Sequence, residues 1–411
     1  MPEFLDLLPP SEALALFLQN LPQNLVVAET IETVQALNRV TAGDIVSPED
    51  LPSFSRSTMD GYAVQAMDTF GASDALPVYL SLVGEVPMGG QPSFSLQPTQ
   101  VALIHTGGML PEGADAVVML EHTQVIGPGE IEVVRAVAAG ENLIFAGEDL
   151  KKGEVIIREG SHLRPAEIGG LMAVGILQVK TAREPMVGII SSGDEIIKPE
   201  ECPRPGQVRD INSYSLGALI RQTGAIPHLY GIIPDWREAL SETLKIAQRE
   251  CDMVVITAGS SASTRDFTAG VIQDLGKPGV LVHGVNIRPG KPTILAVCNG
   301  KAVIGLPGNP VSALVIASLF VRPVIKRLLG IKHSLIEPSV QARLTANIAS
   351  QAGREDWMPV HLIMGPDGYQ ADPIFYKSNL IFTLVHANGL VRIPAPANGI
   401  SAGDIVTVVL F

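Results

Sequence analysis

From Ala302 to Leu306 the chain carries an apolar run too short for a helix. It stops at Pro307-Gly-Asn-Pro310 and gives way to a helix-compatible stretch reaching Leu329. That pattern reads as strand, tight turn, helix. Gly308 can take the positive φ that a sharp turn needs, Pro310 suits a first helical turn, and the free amides at such a junction favour negative charge. Just upstream, Gly284-Val-Asn-Ile-Arg-Pro-Gly-Lys-Pro292 sets Arg288 and Lys291 around a Pro-Gly turn, where two cations can face one ligand. An ordinary connection between strand and helix uses the same residues, so the segment gains meaning only from its context.

The context repeats the design. Pro185-Met-Val-Gly-Ile-Ile190 is strand-like and ends in Ser191-Ser-Gly-Asp-Glu195; Met253-Val-Val-Ile256 ends in Thr257-Ala-Gly-Ser-Ser-Ala-Ser-Thr-Arg-Asp266, ahead of a helix predicted over 267–275. Helices over 213–222, with Asn212 as a cap, and 236–248 alternate with strands over 226–233 and 253–256. This is the order of a parallel sheet covered on both faces. Loops leaving the carboxyl ends of its strands gather along one edge, where ligands bind in this architecture. Asp194, Glu195, Arg265, Asp266 and several hydroxyls would meet there, a set suited to a phosphate-bearing ligand and a divalent ion.

Composition narrows the function classes. A chain of 411 residues exceeds what one core usually serves, and a net charge of −13 argues against a general nucleic-acid binder, so an anionic ligand needs locally gathered cations. Cys202, Cys251 and Cys298 have no metal-ligand spacing and suit a reducing compartment. No apolar run reaches the roughly 20 residues that span a bilayer. The first residues are acidic and broken by Pro9, Pro10, Ser11 and Glu12, unlike an export signal, so a cytoplasmic protein without membrane attachment is expected. Ser11 is read as the cap of a short helix, and residues 1 to about 47 as helical.

Six segments occur in one order: Ser57-Thr-Met-Asp-Gly-Tyr-Ala-Val64, His105-Thr-Gly-Gly-Met-Leu-Pro-Glu-Gly-Ala-Asp-Ala-Val-Val-Met119, Gly147-Glu-Asp149, Ser192-Gly-Asp-Glu195, Arg288-Pro-Gly-Lys-Pro292 and Leu306-Pro-Gly-Asn-Pro-Val-Ser-Ala313. Together they resemble the MoeA family of molybdopterin molybdenumtransferases, related to the E domain of gephyrin, over essentially the whole chain. The resemblance implies an elongated multidomain α/β protein. Residues 1–47 and 150–182 would form a discontinuous helical and mixed domain, the second piece folding back on the N-terminal helix. Residues 48–149 would form an inserted β-rich domain, 183–331 a MogA-like three-layer α/β/α domain, and 335–411 a small β-barrel, where short strands alternate with Gly-containing turns.

The resemblance further implies insertion of molybdate, a substrate, into adenylylated molybdopterin with release of AMP, in molybdenum cofactor biosynthesis. Mg²⁺ would be the cofactor, a hard ion preferring carboxylate oxygens. Asp194, Glu195 and Asp266 are its candidate ligands, and Asp60, Thr106, Asp149 and Asp266 the candidate catalytic residues. Ser192, Gly193, Asp194, Glu195, Gly259, Ser260, Ser261, Arg288, Lys291, Pro307, Gly308, Asn309, Pro310 and Ser312 are expected to bind substrate. Helix capping, an Asx turn at Asp60, or plain surface charge would account for several of these equally well. A homodimer is implied, with a MogA-type adenylyltransferase and molybdoenzyme acceptors as partners. Three departures mark a divergent branch: Ile144, Phe145 and Ala146 offer no cation where the family commonly has arginine; Ala258 and Ser263 stand at usual glycine positions; Arg288 replaces a frequent lysine. Weaker binding of the anionic substrate is the expectation. A non-catalytic pterin-binding scaffold and a nucleotide-cleaving enzyme resembling competence-damage-inducible proteins are the competing classes.

Overall fold

The protein is described by a computed structural model covering residues 7–23, 25–258, 262–332 and 338–411, with the side chains of 258 and 262–266 outside the description. Its α/β domain runs β1 (Met186–Ser192), α1 (Asn212–Gln222), β2 (Ile226–Ile233), α2 (Arg237–Glu250), β3 (Met253–Ala258), α3 (Ala262–Gln273), β4 (Pro278–His283), β5 (Ile294–Cys298), β6 (Lys301–Pro307) and α4 (Pro310–Ile316). A π-helical stretch, Ala317–Val321, carries α4 on into Arg322–Leu328. The strands order as β2-β1-β3-β6-β5-β4. β1 is parallel to β2 and β3, and β3 to β6.

One strand departs from the expected parallel sheet. β5 is antiparallel to both β6 and β4, because Asn299 and Gly300, both with positive φ, close a two-residue hairpin between Cys298 and Lys301. An Asn-Gly pair between apolar runs is the turn signal for that hairpin. Its consequence is positional: Ile294 pairs with Gly305, so the chain entering β5 lies at the carboxyl edge of β6.

Both sheet faces are buried, as continuous apolar strands require. Val187, Ile189, Val255 and Ile304 pack with Leu216, Ile220, Ile316 and Phe320 on one face. Ile190, Val254, Ile256 and Val303 pack with Leu240, Leu244, Val271 and Ile272 on the other. The helix Pro10–Gln19 begins at a proline rather than being capped by Ser11, and it inserts Ala13 and Phe17 into the first of these cores.

Residues 1–47 are therefore not a helical unit. Ala28–Glu32 pairs antiparallel with Gln178–Ala182, and Ile45–Val46 with Val155–Ile157, so the returning piece closes on strands rather than on the N-terminal helix. The alternating exposure of Ala28–Glu32 is the period-two pattern of a half-buried strand. The insert forms a six-stranded sheet in the order Ala116–Met119, Gly61–Val64, Gln100–Ile104, Val78–Glu85, Glu130–Val133, Thr123–Gly127. In the C-terminal part, Glu355–Gly365, Gly368–Pro373, Ser339–Leu344, Ile405–Leu410 and Gly389–Ile393 close into a five-stranded barrel, the first and last strands pairing. A strand pairing ties the barrel to the α/β domain: Ile287–Arg288, from the β4–β5 connection, pairs in parallel with Glu355 and Asp356.

Because Phe17 is fully buried among sheet residues, Phe17→Ala should lower stability by about 3–5 kcal/mol. Urea unfolding of native and variant chains checks this, and an unchanged midpoint would show that the helix lies outside the α/β core.

Candidate active site

The strand order reverses direction between β1 and β3, which places the topological switch point at their carboxyl ends. The carboxyl ends of β1, β3 and β6 lie side by side at this edge because the three strands are adjacent and parallel. The turn after β6 is held from two sides. Asn212 does not cap α1 but donates from Nδ2 to the Gly308 carbonyl at 2.7 Å, while Asp210, just before the cap position Ile211, accepts the Ser213 N–H at 3.1 Å. Asn309 donates from Nδ2 to Ser378 Oγ of the barrel region at 3.0 Å, and Val311 N–H to the Ser378 carbonyl at 3.1 Å. Pro310 starts α4, and Ser312 is buried in its first turn.

Between this turn and the barrel lies a cavity of about 550 Å³. Arg288, Lys291, Pro307, Gly308, Asn309 and Ser312 line it, as does a set from the C-terminal region that the sequence reading missed: Arg354, Tyr376, Lys377 and Ser378. Among the described residues, four of those lining it are cationic and none is acidic. Arg354 is committed to Asp356, its Nε at 2.8 Å from Oδ1, and Arg288 reaches the same carboxylate only at 3.9 Å. Lys291 and Lys377 are exposed. Burial pushes the Tyr376 phenol well above its usual range, so it stays neutral and donates to the Trp357 carbonyl at 3.2 Å. Apart from their charges, the barrel contributors lack any periodic or motif signal.

At the end of β1, Ser192 is buried and hydrogen-bonds Asp235, a residue of the β2–α2 connection that sequence reading also missed. Asp235 N–H donates to Asp194 Oδ1 at 3.3 Å, and Glu195 is exposed beside it. Gly193 turns the chain between Ser192 and Asp194, its carbonyl accepting the Ile196 N–H at 3.0 Å. Among the described residues no three His, Cys, Asp or Glu side chains converge as a metal cage. Asp194 and Glu195 nevertheless give the all-oxygen, solvent-facing donors that suit a hard ion retaining water and substrate oxygens. Gly259, Ser260 and Ser261 lie outside the described residues, as does the Asp266 side chain, whose backbone belongs to α3.

A second group sits in the insert. Asp60 Oδ1 accepts the Thr106 N–H at 2.8 Å and its hydroxyl at 3.3 Å, with His105 Nδ1 at 3.6 Å and His105 Nε2 at 3.0 Å from Glu85. The Thr106 N–H holds the Asp60 carboxyl below the usual carboxylate range. The Thr106 and His105 contacts to Asp60 all fall on one oxygen, Oδ1. Asp149 is not drawn into this cluster; it is exposed, its N–H bonded to the Leu51 carbonyl at 3.0 Å. Ile144 supplies no cation, as expected, but pairs across a short ladder with the exposed Arg56. No hydrogen bond or ion pair among the described residues joins the Asp60 cluster to the cation-lined cavity.

Comparison with known proteins matches the whole architecture. Residues 8–175 fit the MoeA N-terminal region (domains I and II), 188–327 a probable molybdopterin binding domain, and 341–411 the MoeA C-terminal region (domain IV). The chain is 36% identical to a putative molybdopterin biosynthesis protein of Methanocaldococcus jannaschii, over 95% of this chain and 94% of that one. It is 34% identical to the molybdopterin molybdenumtransferase of a Nostoc species, over 92% of this chain and 88% of the relative. The crystal structure of the molybdopterin biosynthesis MoeA protein of Pyrococcus horikoshii OT3 aligns with a TM-score of 0.86 at 34% identity, covering 99% of this chain and 100% of that one. With three regions matched in order and such identity along nearly its full length, the chain belongs to the MoeA family.

Proposed function

We propose that this chain is a molybdopterin molybdenumtransferase of molybdenum cofactor biosynthesis, inserting molybdate into adenylylated molybdopterin and releasing AMP. The observation that carries the reading is a cavity lined by Arg288, Lys291, Arg354 and Lys377 and, among the described residues, by no carboxylate, in a chain of net charge −13. Molybdate and a phosphoanhydride repel each other in water. A cavity that presents several cations to both lowers that repulsion and holds the reactants near each other, which is where most of such a rate gain arises. Lys291 acts as a mobile point charge and Arg288 as a planar fork for paired oxygens. The backbone of Pro307–Pro310 shapes the rim.

Asp194 and Glu195, with Asp266, would hold Mg²⁺, which neutralises phosphate charge and polarises the phosphoanhydride when bound. Ser192 and Asp235 fix the loop that presents Asp194. Asp60 keeps one carboxylate oxygen tied to Thr106 and turns the other outward, while Asp149 stands apart. Since no hydrogen bond or ion pair among the described residues joins the Asp60 cluster to the cavity, that cluster serves the cavity of a second copy in a homodimer. The family assignment supports this placement in cofactor biosynthesis, in the cytoplasm, between a MogA-type adenylyltransferase and molybdoenzyme acceptors. No helix among the described residues is long and apolar enough to cross a membrane.

Incubation with adenylylated molybdopterin, Mg²⁺ and molybdate should yield AMP and molybdenum cofactor, and absence of AMP would refute the transferase reading. Lys291→Ala should weaken substrate binding roughly tenfold to a hundredfold, the loss of one charge-assisted hydrogen bond. Asp266→Asn should retain the fold and lose the response of AMP release to Mg²⁺; an unchanged Mg²⁺ titration removes Asp266 from the metal set. At limiting substrate, where each chain alone is impaired, mixing Lys291→Ala and Asp60→Asn chains should restore part of the activity through hybrid dimers carrying one intact site. Mixtures as inactive as their components would place both residues in the same protomer's site.

A further inference from the structure

A second, smaller cleft of about 280 Å³ opens on the far side of Arg288 from the cation-lined cavity. Trp357, Phe375 and Tyr376 line it, with Met358, Ala349, Asp356 and Arg288. Arg288 and Tyr376 line both spaces, so the two share a wall. The chemistry changes abruptly across that boundary, from cations on one side to three aromatic rings on the other.

Most of the polar groups in the cleft are already committed. Asp356 takes Arg354 Nε at 2.8 Å and Ser350 Oγ at 2.9 Å, Trp357 Nε1 donates to Glu355 at 2.8 Å, and the Tyr376 hydroxyl is spent on the Trp357 carbonyl. What remains available is π surface and Arg288, whose side chain is 59% exposed and only loosely held by Asp356. Phe375 leaves 65% of its surface in solvent at the cleft, a large apolar ring with little packed over it. A flat ring slotted among such groups gains stacking on aromatic faces and on a planar guanidinium, recognition that tolerates any base because every base has a π face.

We propose that this cleft is the subsite for a planar nitrogen heterocycle of the substrate, adenine or pterin, whose attached phosphates lie in the adjoining cation-lined cavity, with Phe375 and Trp357 as stacking surfaces and Arg288 spanning the two. The assignment rests on the reading of the larger cavity as the anion site. It makes Arg288 a specificity residue as well as a charge: the planar fork closes over the ring while its edge faces the phosphates, which a lysine does not reproduce.

The chain has two tryptophans, Trp236 and Trp357, so Trp236→Phe leaves Trp357 as the sole indole reporter. Titration of that variant with AMP should change Trp357 emission saturably, and inorganic pyrophosphate should displace AMP without producing the change itself. By calorimetry, Phe375→Ala should weaken AMP about tenfold, leave pyrophosphate affinity as in the native chain, and be rescued by Phe375→Tyr. A free pterin that competes with AMP for the Trp357 signal identifies the pterin as an occupant; one that fails to compete assigns the cleft to adenine. The subsite is overturned, with the anion site intact, if AMP and pyrophosphate bind but Trp357 stays silent and Phe375→Ala weakens both ligands alike or neither. If neither AMP nor pyrophosphate binds the native protein, the anion site and the subsite fall together.

Discussion

Everything in the proposed site depends on how the connection from β4 to β5 is fixed. Gly290 adopts a φ of +115°, and a Cβ at that position would come within 2.3 Å of Ile316 Cγ1, so only glycine lets the turn press against α4. The Lys291 carbonyl accepts the N–H groups of Val285 and Thr293, each at 2.9 Å, and the buried Thr293 hydroxyl closes onto the Gly290 carbonyl at 2.6 Å. This pinned turn has two outlets. One hands Ile287–Arg288 to the edge of the barrel sheet; the other sends Lys291 into the cavity. Ile316 lies on the helix that starts at Pro310, so the Gly290 turn packs against the same helix whose first residues line the cavity.

Charge is then separated by pairing. The barrel brings the acidic side chains of Glu355 and Asp356 within reach of the cavity wall, and both are nearly buried. Glu355 is taken by Arg392, its Oε2 at 2.8 Å from Nε, and by the Trp357 indole, while Asp356 is taken by Arg354 and Ser350. Leaving either unpaired would cost several kcal/mol and would turn the cavity negative. Once they are neutralised, Arg288, Lys291 and Lys377 set the local field. The remaining acidity of the chain is distributed over its surface, where screening weakens it beyond about 8 Å.

Much of this arrangement was legible in the sequence because it rests on local rules. Short apolar runs ending in Gly-rich loops gave the parallel strands and their shared edge, and motif order gave the family. The N-terminal region was misread because strand Ala28–Glu32 acquires its partner Gln178–Ala182 only from the far side of the insert. The β5–β6 hairpin had a local signal in Asn299-Gly300 that strand alternation overshadowed. Arg354, Tyr376, Lys377 and Ser378 were invisible for a different reason: they become neighbours of Lys291 only when the barrel pairs with Ile287–Arg288, a long-range contact that no window of sequence contains. Asp235 likewise reaches Ser192 through strand adjacency rather than spacing.

The central claim is that one glycine-dependent turn assembles the anion cavity from two domains. Its most direct test is calorimetric titration of inorganic pyrophosphate into native protein and Gly290→Ala, with far-UV circular dichroism confirming that both are folded. The account predicts that the added methyl group displaces the turn from Ile316 and lowers pyrophosphate affinity at least tenfold while the α/β signal persists. Native affinity in a folded Gly290→Ala chain would contradict it, because Arg288 and Lys291 would then bind anions without the geometry that is held to place them.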